Sequence, residues 1–166
     1  MNRPCAVTLR PARAPEAQAL ARMSRDLIEI GLAWRYQPSR MEALIKDPET
    51  VALVACERSR IQGFAVMHFG ELHAHLVLLC VRPTQQRCGI GRRLHEWLLQ
   101  SARIAGLDSI RLELRADNAQ ALAFYRRLGF TETQRLPGYY GGAIAARRMS
   151  LPLRGDSLDF PNRASA

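Results

Sequence analysis

Residues 76–81, LVLLCV, constrain the fold more than any other stretch of the chain. A membrane span takes about 18 or more apolar residues in a row, so this run is far too short to be one. It belongs to a strand at 73–82 whose second half is apolar on both faces. Such a strand must be covered on both sides, so it sits at the centre of a sheet with helices above and below. TVALVACE at 50–57 and the stretch 61–69, joined by a tight connection, read as antiparallel strands before it. Ahead of them Leu20, Met23, Leu27, Ile30 and Trp34 recur at intervals of three and four. This predicts a helix over 15–34 with one buried stripe. Pro38 opens a second helix, which Asp47-Pro48 breaks. Behind the central strand, Leu94, Trp97, Leu98, Ala102 and Ala105 stripe a helix closed by Gly106. Residues 109–115 alternate, with Ile110, Leu112 and Leu114 on one face and Arg111, Glu113 and Arg115 on the other. Asp117-Asn118 offers an N-cap to a helix striped by Leu122, Tyr125 and Leu128 and ended by Gly129. Strands at 130–135 and 143–153, and a weak one at 5–10, complete an α/β sandwich with a mixed sheet. The 166 residues suit one domain over 1–153, with 154–166 as a loose C-terminal tail.

The charge narrows the partners. Lys+Arg number 24 against 15 Asp+Glu, a net +9, and all the basic residues but Lys46 are arginine. An excess of this size asks for an anionic partner. A nucleic-acid face would interleave basic residues with exposed aromatics, yet aromatic content is 7% and no nucleic-acid motif is present. The N-terminus has no apolar leader segment, and no membrane association is expected. The four cysteines, Cys5, Cys56, Cys80 and Cys88, form no CxxC, so they read as free thiols in a reducing cytoplasm. His73 and His75 share a strand face but lack a third ligand, so no metal site is assigned. His95, on the helix behind the central strand, is read as a surface residue.

The chemistry concentrates at 81–93. A buried strand runs into a glycine-bearing turn and then a helix, which aims backbone N–H groups at one spot at the positive end of the helix dipole. Arg82, Arg87, Arg92 and Arg93 add four positive charges with no acid among them. Gly89 and Gly91 leave room for an anion beside the backbone. The product is a pyrophosphate cradle, and the same glycines also suit an ordinary tightly packed strand-to-helix turn. It is neither a Walker loop, since GK[ST] is absent, nor a dinucleotide fingerprint, since Leu94 stands where GxGxxG needs glycine.

Gln86-Arg87-Cys88-Gly89-Ile90-Gly91 resembles the Q/R-x-x-G-x-G/A acyl-CoA motif of the GNAT superfamily of N-acetyltransferases. Val81-Arg82-Pro83 resembles its V-x-P strand end, and residues 118–130 its N-x-x-A-x-x-x-Y-x-x-x-G-F segment at the expected spacing. The resemblance implies a mixed, mostly antiparallel twisted sheet with helices on both faces. It implies direct transfer of acetyl from acetyl-CoA to a primary amine, with no covalent enzyme intermediate. On the same resemblance Gln86, Arg87, Cys88, Gly89, Ile90, Gly91 and Arg92 hold the pyrophosphate. Leu79, Cys80 and Val81 pair with the pantetheine arm, and Asn118 and Tyr125 contact the rest of the cofactor.

Tyr125 stands where many members carry the acid that protonates the leaving thiolate, and it also suits an aromatic anchor on a buried stripe. Leu112-Glu113-Leu114-Arg115-Ala116-Asp117-Asn118 resembles the L-E-V-R-x-S-N of ribosomal-protein alanine N-acetyltransferases, whose glutamate is the proposed base. Glu113 is the base candidate here, and Arg111 and Arg115, on its own strand face, are expected to lower its pKa. Tyr139-Tyr140 resembles the tyrosine pair with which protein N-terminal acetyltransferases grip the substrate, although the loop that follows is shorter and less acidic. Trp34 and Tyr36, beside Arg35, follow the first helix, where the family places a substrate-side wall. The expected acceptor is a protein or peptide α-amine, with a small-molecule amine as the alternative. A non-catalytic acyl-CoA sensor is the alternative of another class, and a homodimer is left open.

Overall fold

A computed structural model describes residues 6–154. Cys5, the start of the expected first strand, and the tail beyond 154 lie outside the described residues. The elements are β1 (Thr8–Pro11), α1 (Ala17–Leu27), α2 (Pro38–Lys46), β2 (Thr50–Glu57), β3 (Arg60–Phe69), β4 (His73–Val81), α3 (Ile90–Ile104), β5 (Ser109–Arg115), α4 (Ala119–Arg127), β6 (Thr131–Tyr140) and β7 (Ile144–Pro152). Short 3₁₀ turns precede α1 and follow β4.

The seven strands form one sheet in the order β1-β2-β3-β4-β5-β7-β6, so the doubly apolar strand β4 lies at its centre. Every pairing is antiparallel except β4–β5. Leu76 of β4, Ile110, Leu112 and Leu114 of β5, and Met67 of β3 pack with Leu94, Leu98 and Ala102 of α3 and Tyr125 of α4. On the other face Val54, Phe64, Val66, Leu78 and Cys80 pack with Leu20, Ala21 and Met23 of α1 and Met41 of α2. Each fully buried large side chain contributes roughly 1.5–3 kcal/mol by leaving water, so both layers bind the sheet firmly.

β4 changes register midway. Met67 opposes Leu76 and Val66 opposes Leu78, so Val77 is an extra residue opposite no partner. A bulge of this kind re-aims the side chains that follow it. It also accompanies a parting of strands. β4 and β5 are paired only over His73–His75 and Ser109–Arg111, after which β5 continues alongside β7 as far as Arg115. The sheet therefore opens into a cleft at the C-terminal ends of β4 and β5.

Three sequence expectations change. The first helix ends at Leu27, not Trp34, and Ile30 of the expected stripe is 61% exposed. The reason is Glu29, a buried carboxylate that accepts bonds from Ser24 Oγ (2.9 Å), Arg35 N (2.7 Å) and Tyr36 N (3.2 Å) and so folds 28–36 into an ordered loop. On α3 the buried stripe is Ile90, Leu94, His95, Leu98, Leu99 and Ala102, while Trp97 and Ala105 are exposed. His95 is therefore a core residue, packed edge-on against Phe130 at 5.5 Å. β6 runs on through Pro137 to Tyr140, past an irregularity after Leu136, and the turn is left to residues 141–143. Proline is tolerated there because β6 is an edge strand. Among the described residues no helix is long and apolar enough to cross a membrane.

Candidate active site

The cleft between β4 and β5 holds a cavity of about 670 Å³. Leu79 and Glu113 line it from the two parted strands, Asn118 and Tyr125 from the start and body of α4, Tyr36 from the 28–36 loop, and Tyr139 and Tyr140 from the end of β6. Seven of the residues singled out in the sequence, drawn from five separate segments, thus share one space.

Tyr125 is set by α4. Asn118 Oδ1 caps this helix by accepting from Ala121 N at 3.0 Å, and Gly129, at φ 94°, turns the chain away after it. Tyr125 is buried and meets the Phe124 and Phe130 rings edge to face at 5.1 and 5.5 Å. Burial drives its phenol pKa upward, so the hydroxyl keeps its proton and stands as a donor at neutral pH.

Glu113 has partners other than those expected. His75 Nε2 lies 2.6 Å from its Oε2, and Arg148 Nε donates to its Oε1 at 3.0 Å. The His75 bond is the main cause that holds the carboxyl below its ordinary range, with Arg148 adding to it against the opposing effect of burial. Arg111 instead donates to His73 Nε2 at 2.9 Å. Arg115 forks onto Asp117 and donates to Ile30 O at 2.6 Å, tying β5 to the 28–36 loop. The physical reason is that side chains across a sheet approach more closely than those two apart along one strand.

The Tyr139 and Tyr140 rings stand edge to face at 4.9 Å. Burial pushes the Tyr140 phenol up to about 12. Burial likewise raises the Tyr36 phenol, against the Arg35 and Arg40 charges, and Arg40 sits 4.9 Å over its ring. Trp34 is not part of the cavity. Its Nε1 donates to Ala21 O at 3.2 Å and Arg25 covers its ring, so the side chain is drawn back onto α1. Cys80 also faces away, buried on the α1–α2 side with its thiol pushed up to about 12. Its backbone pairs with Phe64 of β3 and it does not line the cavity, so the structure does not bring Cys80 to the cleft.

The 86–92 turn lies beyond the cavity, where β4 ends. Gln86 Nε2 donates to Val81 O at 3.1 Å, and Gln120 of α4 donates to Gln86 Oε1 at 3.2 Å, which joins the turn to the second motif. Gly89, the N-cap of α3, has φ 81° with open space where a Cβ would stand. Gly91 serves packing: a Cβ there would meet the Phe124 ring at 3.2 Å. Ile90 is buried, so it offers only its amide. Arg87, Cys88 and Arg92 are exposed. Arg82 and Arg93 hold the sheet instead, donating to Ile61 O and Val7 O. The arginine cluster is therefore split between the turn and the fold. With α3's first N–H groups unmatched within the helix, the turn and its two exposed guanidinium groups suit a pyrophosphate, and the parted strand β4 suits an extended arm.

His73 Nδ1 meets Ser109 Oγ at 2.9 Å, and among the described residues no three His, Cys, Asp or Glu side chains group to hold a metal. Glu29, which organises the 28–36 loop, is not among the residues singled out in the sequence, and His75, read there as a polar strand position rather than a metal ligand, is bound to Glu113.

A profile of the Acetyltransferase (GNAT) family matches residues 18–130. The [ribosomal protein bS18]-alanine N-acetyltransferase of Escherichia coli strain K12 is 35% identical over 100 residues, covering 58% of this chain and 68% of that protein. The N-alpha-acetyltransferase 30 of Schizosaccharomyces pombe is 31% identical over 133 residues, 76% of this chain and 89% of that one. The crystal structure of Arabidopsis thaliana NAA60 in complex with acetyl-CoA superposes with a TM-score of 0.80 at 20% identity, covering 90% of this chain and all of that one, which speaks for the fold.

Proposed function

The chain belongs to the acetyltransferase (GNAT) family, and from that premise we propose that this N-acetyltransferase acts on the α-amine of a protein or peptide. Acetyl-CoA supplies the thioester carbonyl that the amine attacks, the C–S bond breaking as the C–N bond forms. The observation that carries the reading is the convergence of Tyr36, Tyr139, Tyr140 and Glu113 on the cavity that also holds Tyr125. The tyrosines offer flat apolar walls with hydroxyl tips, suited to the first peptide units of a chain end. Glu113 offers a fixed negative charge to an ammonium group. Tyr125 offers a phenol proton for the departing sulfur, and the amides around Leu79 and Val81 offer donors along the cleft. The relatives named for N-terminal acetylation support the same acceptor.

The chemistry favours this amine. An α-amine with a pKa of about 7.7–8 is roughly a tenth neutral at pH 7, while a lysine ε-amine at about 10.4 is almost wholly protonated. A polycationic small molecule is disfavoured: the cavity's other carboxylate, Glu29, is already occupied by Ser24 and the loop backbone. Buried free thiols at Cys56 and Cys80 fit a reducing, cytoplasmic setting.

The test is thiol release from acetyl-CoA with peptides and small amines. Peptides with a free α-amine turn over and the same peptides blocked at the N-terminus do not. Turnover of small amines alone refutes the acceptor assignment. Thermal stabilisation by acetyl-CoA with no turnover on any amine indicates the sensor alternative.

A further inference from the structure

His75 and Glu113 stand where two hollows of the molecule meet. His75 is on β4 and Glu113 on β5, at the point where the strands part. Both line the large cavity, and both line a second groove of about 480 Å³ on the open half of the sheet, beside His73, Arg111 and Arg148. The two oxygens of Glu113 each have a partner, His75 Nε2 at 2.6 Å and Arg148 Nε at 3.0 Å. A carboxylate held by two such bonds is ionised, so the proton in the short contact belongs to Nε2. In the neutral imidazole the lone pair is then on Nδ1.

We propose that His75 Nδ1 takes the proton of the acceptor ammonium, with Glu113 as the positioning residue that fixes the tautomer and stabilises the imidazolium. This rests on the α-amine reading above. The ammonium gives one proton to Nδ1, and the nitrogen lone pair so freed forms the C–N bond as the C–S bond breaks. A second N–H proton replaces the one Tyr125 delivers to the departing sulfur. The imidazolium returns its proton to solvent through the groove, where the His75 side chain is 46% exposed.

Proton affinities support the assignment. Transfer from an α-ammonium to a carboxylate of ordinary pKa, about 4.3, is unfavourable by more than about 10³-fold. Glu113 is held lower still. Of the two kinds of group at this junction, an imidazole lone pair is by nature the more basic acceptor than a carboxylate. The charged and titratable groups around His75 act on it in both directions. Around it stand His68, its cross-strand partner on β3, His73 on β4, and Arg111 on β5 and Arg148 on β7, whose two guanidinium groups resist a further positive charge. Glu113 offsets them, and Tyr140 of β6 is neutral at working pH.

The experiment measures kcat/KM of His75→Gln and His75→Ala on a peptide with a free α-amine, from about pH 6 to 9.5, with melting temperature and acetyl-CoA affinity as folding controls. Near pH 7, His75→Gln is expected to lose about 100-fold, the lower range of general-base effects. The deficit narrows above about pH 8, where the amine sheds its proton unaided. Added imidazole restores part of the turnover of His75→Ala, which a merely structural role would not allow. A His75→Gln enzyme within threefold of wild type, or a deficit constant with pH and untouched by imidazole, overturns the proposal. A wild-type enzyme that acetylates no free α-amine refutes the underlying reading instead.

Discussion

The proposed donor end of the cleft is made from one continuous passage of chain, β4 running through the 86–92 turn into α3, joined to α4 by the Gln120–Gln86 bond. The proposed acceptor end gathers the 28–36 loop, Glu113 of β5, the end of β6 and Arg148 of β7, which are far apart in sequence and are held by cross-strand and loop contacts. The first is specified by local rules: a glycine with φ 81°, a helix start, arginines at fixed offsets. The second exists only once the sheet has formed. The difference teaches that the shared chemistry can be carried in a short motif while the choice of acceptor is distributed, and substitutions should separate the two.

The largest effect is expected where the ends meet. Tyr125→Phe removes the phenol proton and leaves the ring contacts with Phe124 and Phe130. Turnover should fall about 100-fold, with acetyl-CoA affinity within a few-fold of wild type in a calorimetric titration. Equal losses in both would make Tyr125 a packing residue of the donor end. The double variant Arg87→Ala/Arg92→Ala should weaken acetyl-CoA binding about tenfold and flatten its salt dependence, leaving the KM for peptide unchanged. A matching rise in the peptide KM would show that the two ends are not separable. Tyr139→Ala acts at the exposed mouth and should raise the KM for peptide by a few-fold without moving acetyl-CoA affinity.

The smallest effect lies outside both ends. His95 is buried with Nε2 unpaired, and burial lowers its pKa. The unfolded chain therefore takes up a proton more readily than the folded one. Stability carries no cost from His95 well above pH 6.5 and falls as pH drops below about 6.5, the ordinary imidazole value. His95→Leu should show a smaller drop in melting temperature between pH 7 and pH 5 than wild type, with unchanged kinetics at pH 7.

The same contrast explains what the sequence disclosed. β4, β5, α2 and the turn were legible because alternation, proline and glycine act within a few residues. The cleft itself was not, because it depends on Val77 opposing no residue and on β5 leaving β4 for β7, both matters of pairing between strands. Arg111 and Arg115 were plausible partners for Glu113 along the strand, but His75 and Arg148 reach it from β4 and β7. Trp34 and Ile30 kept helical spacing beyond the point where the buried Glu29 had already ended the helix. His95 reads as a polar residue on an amphipathic helix, and only the packing of Phe130 onto α3 reveals it as core.

The most direct measurement is the position of the acetyl group on a peptide that carries both a free α-amine and an internal lysine, read by fragment mass spectrometry after incubation with enzyme and acetyl-CoA. The account predicts acetyl on the N-terminal residue, abolished when that amine is blocked beforehand. Acetyl on the lysine side chain, or transfer that continues after the N-terminus is blocked, would contradict it.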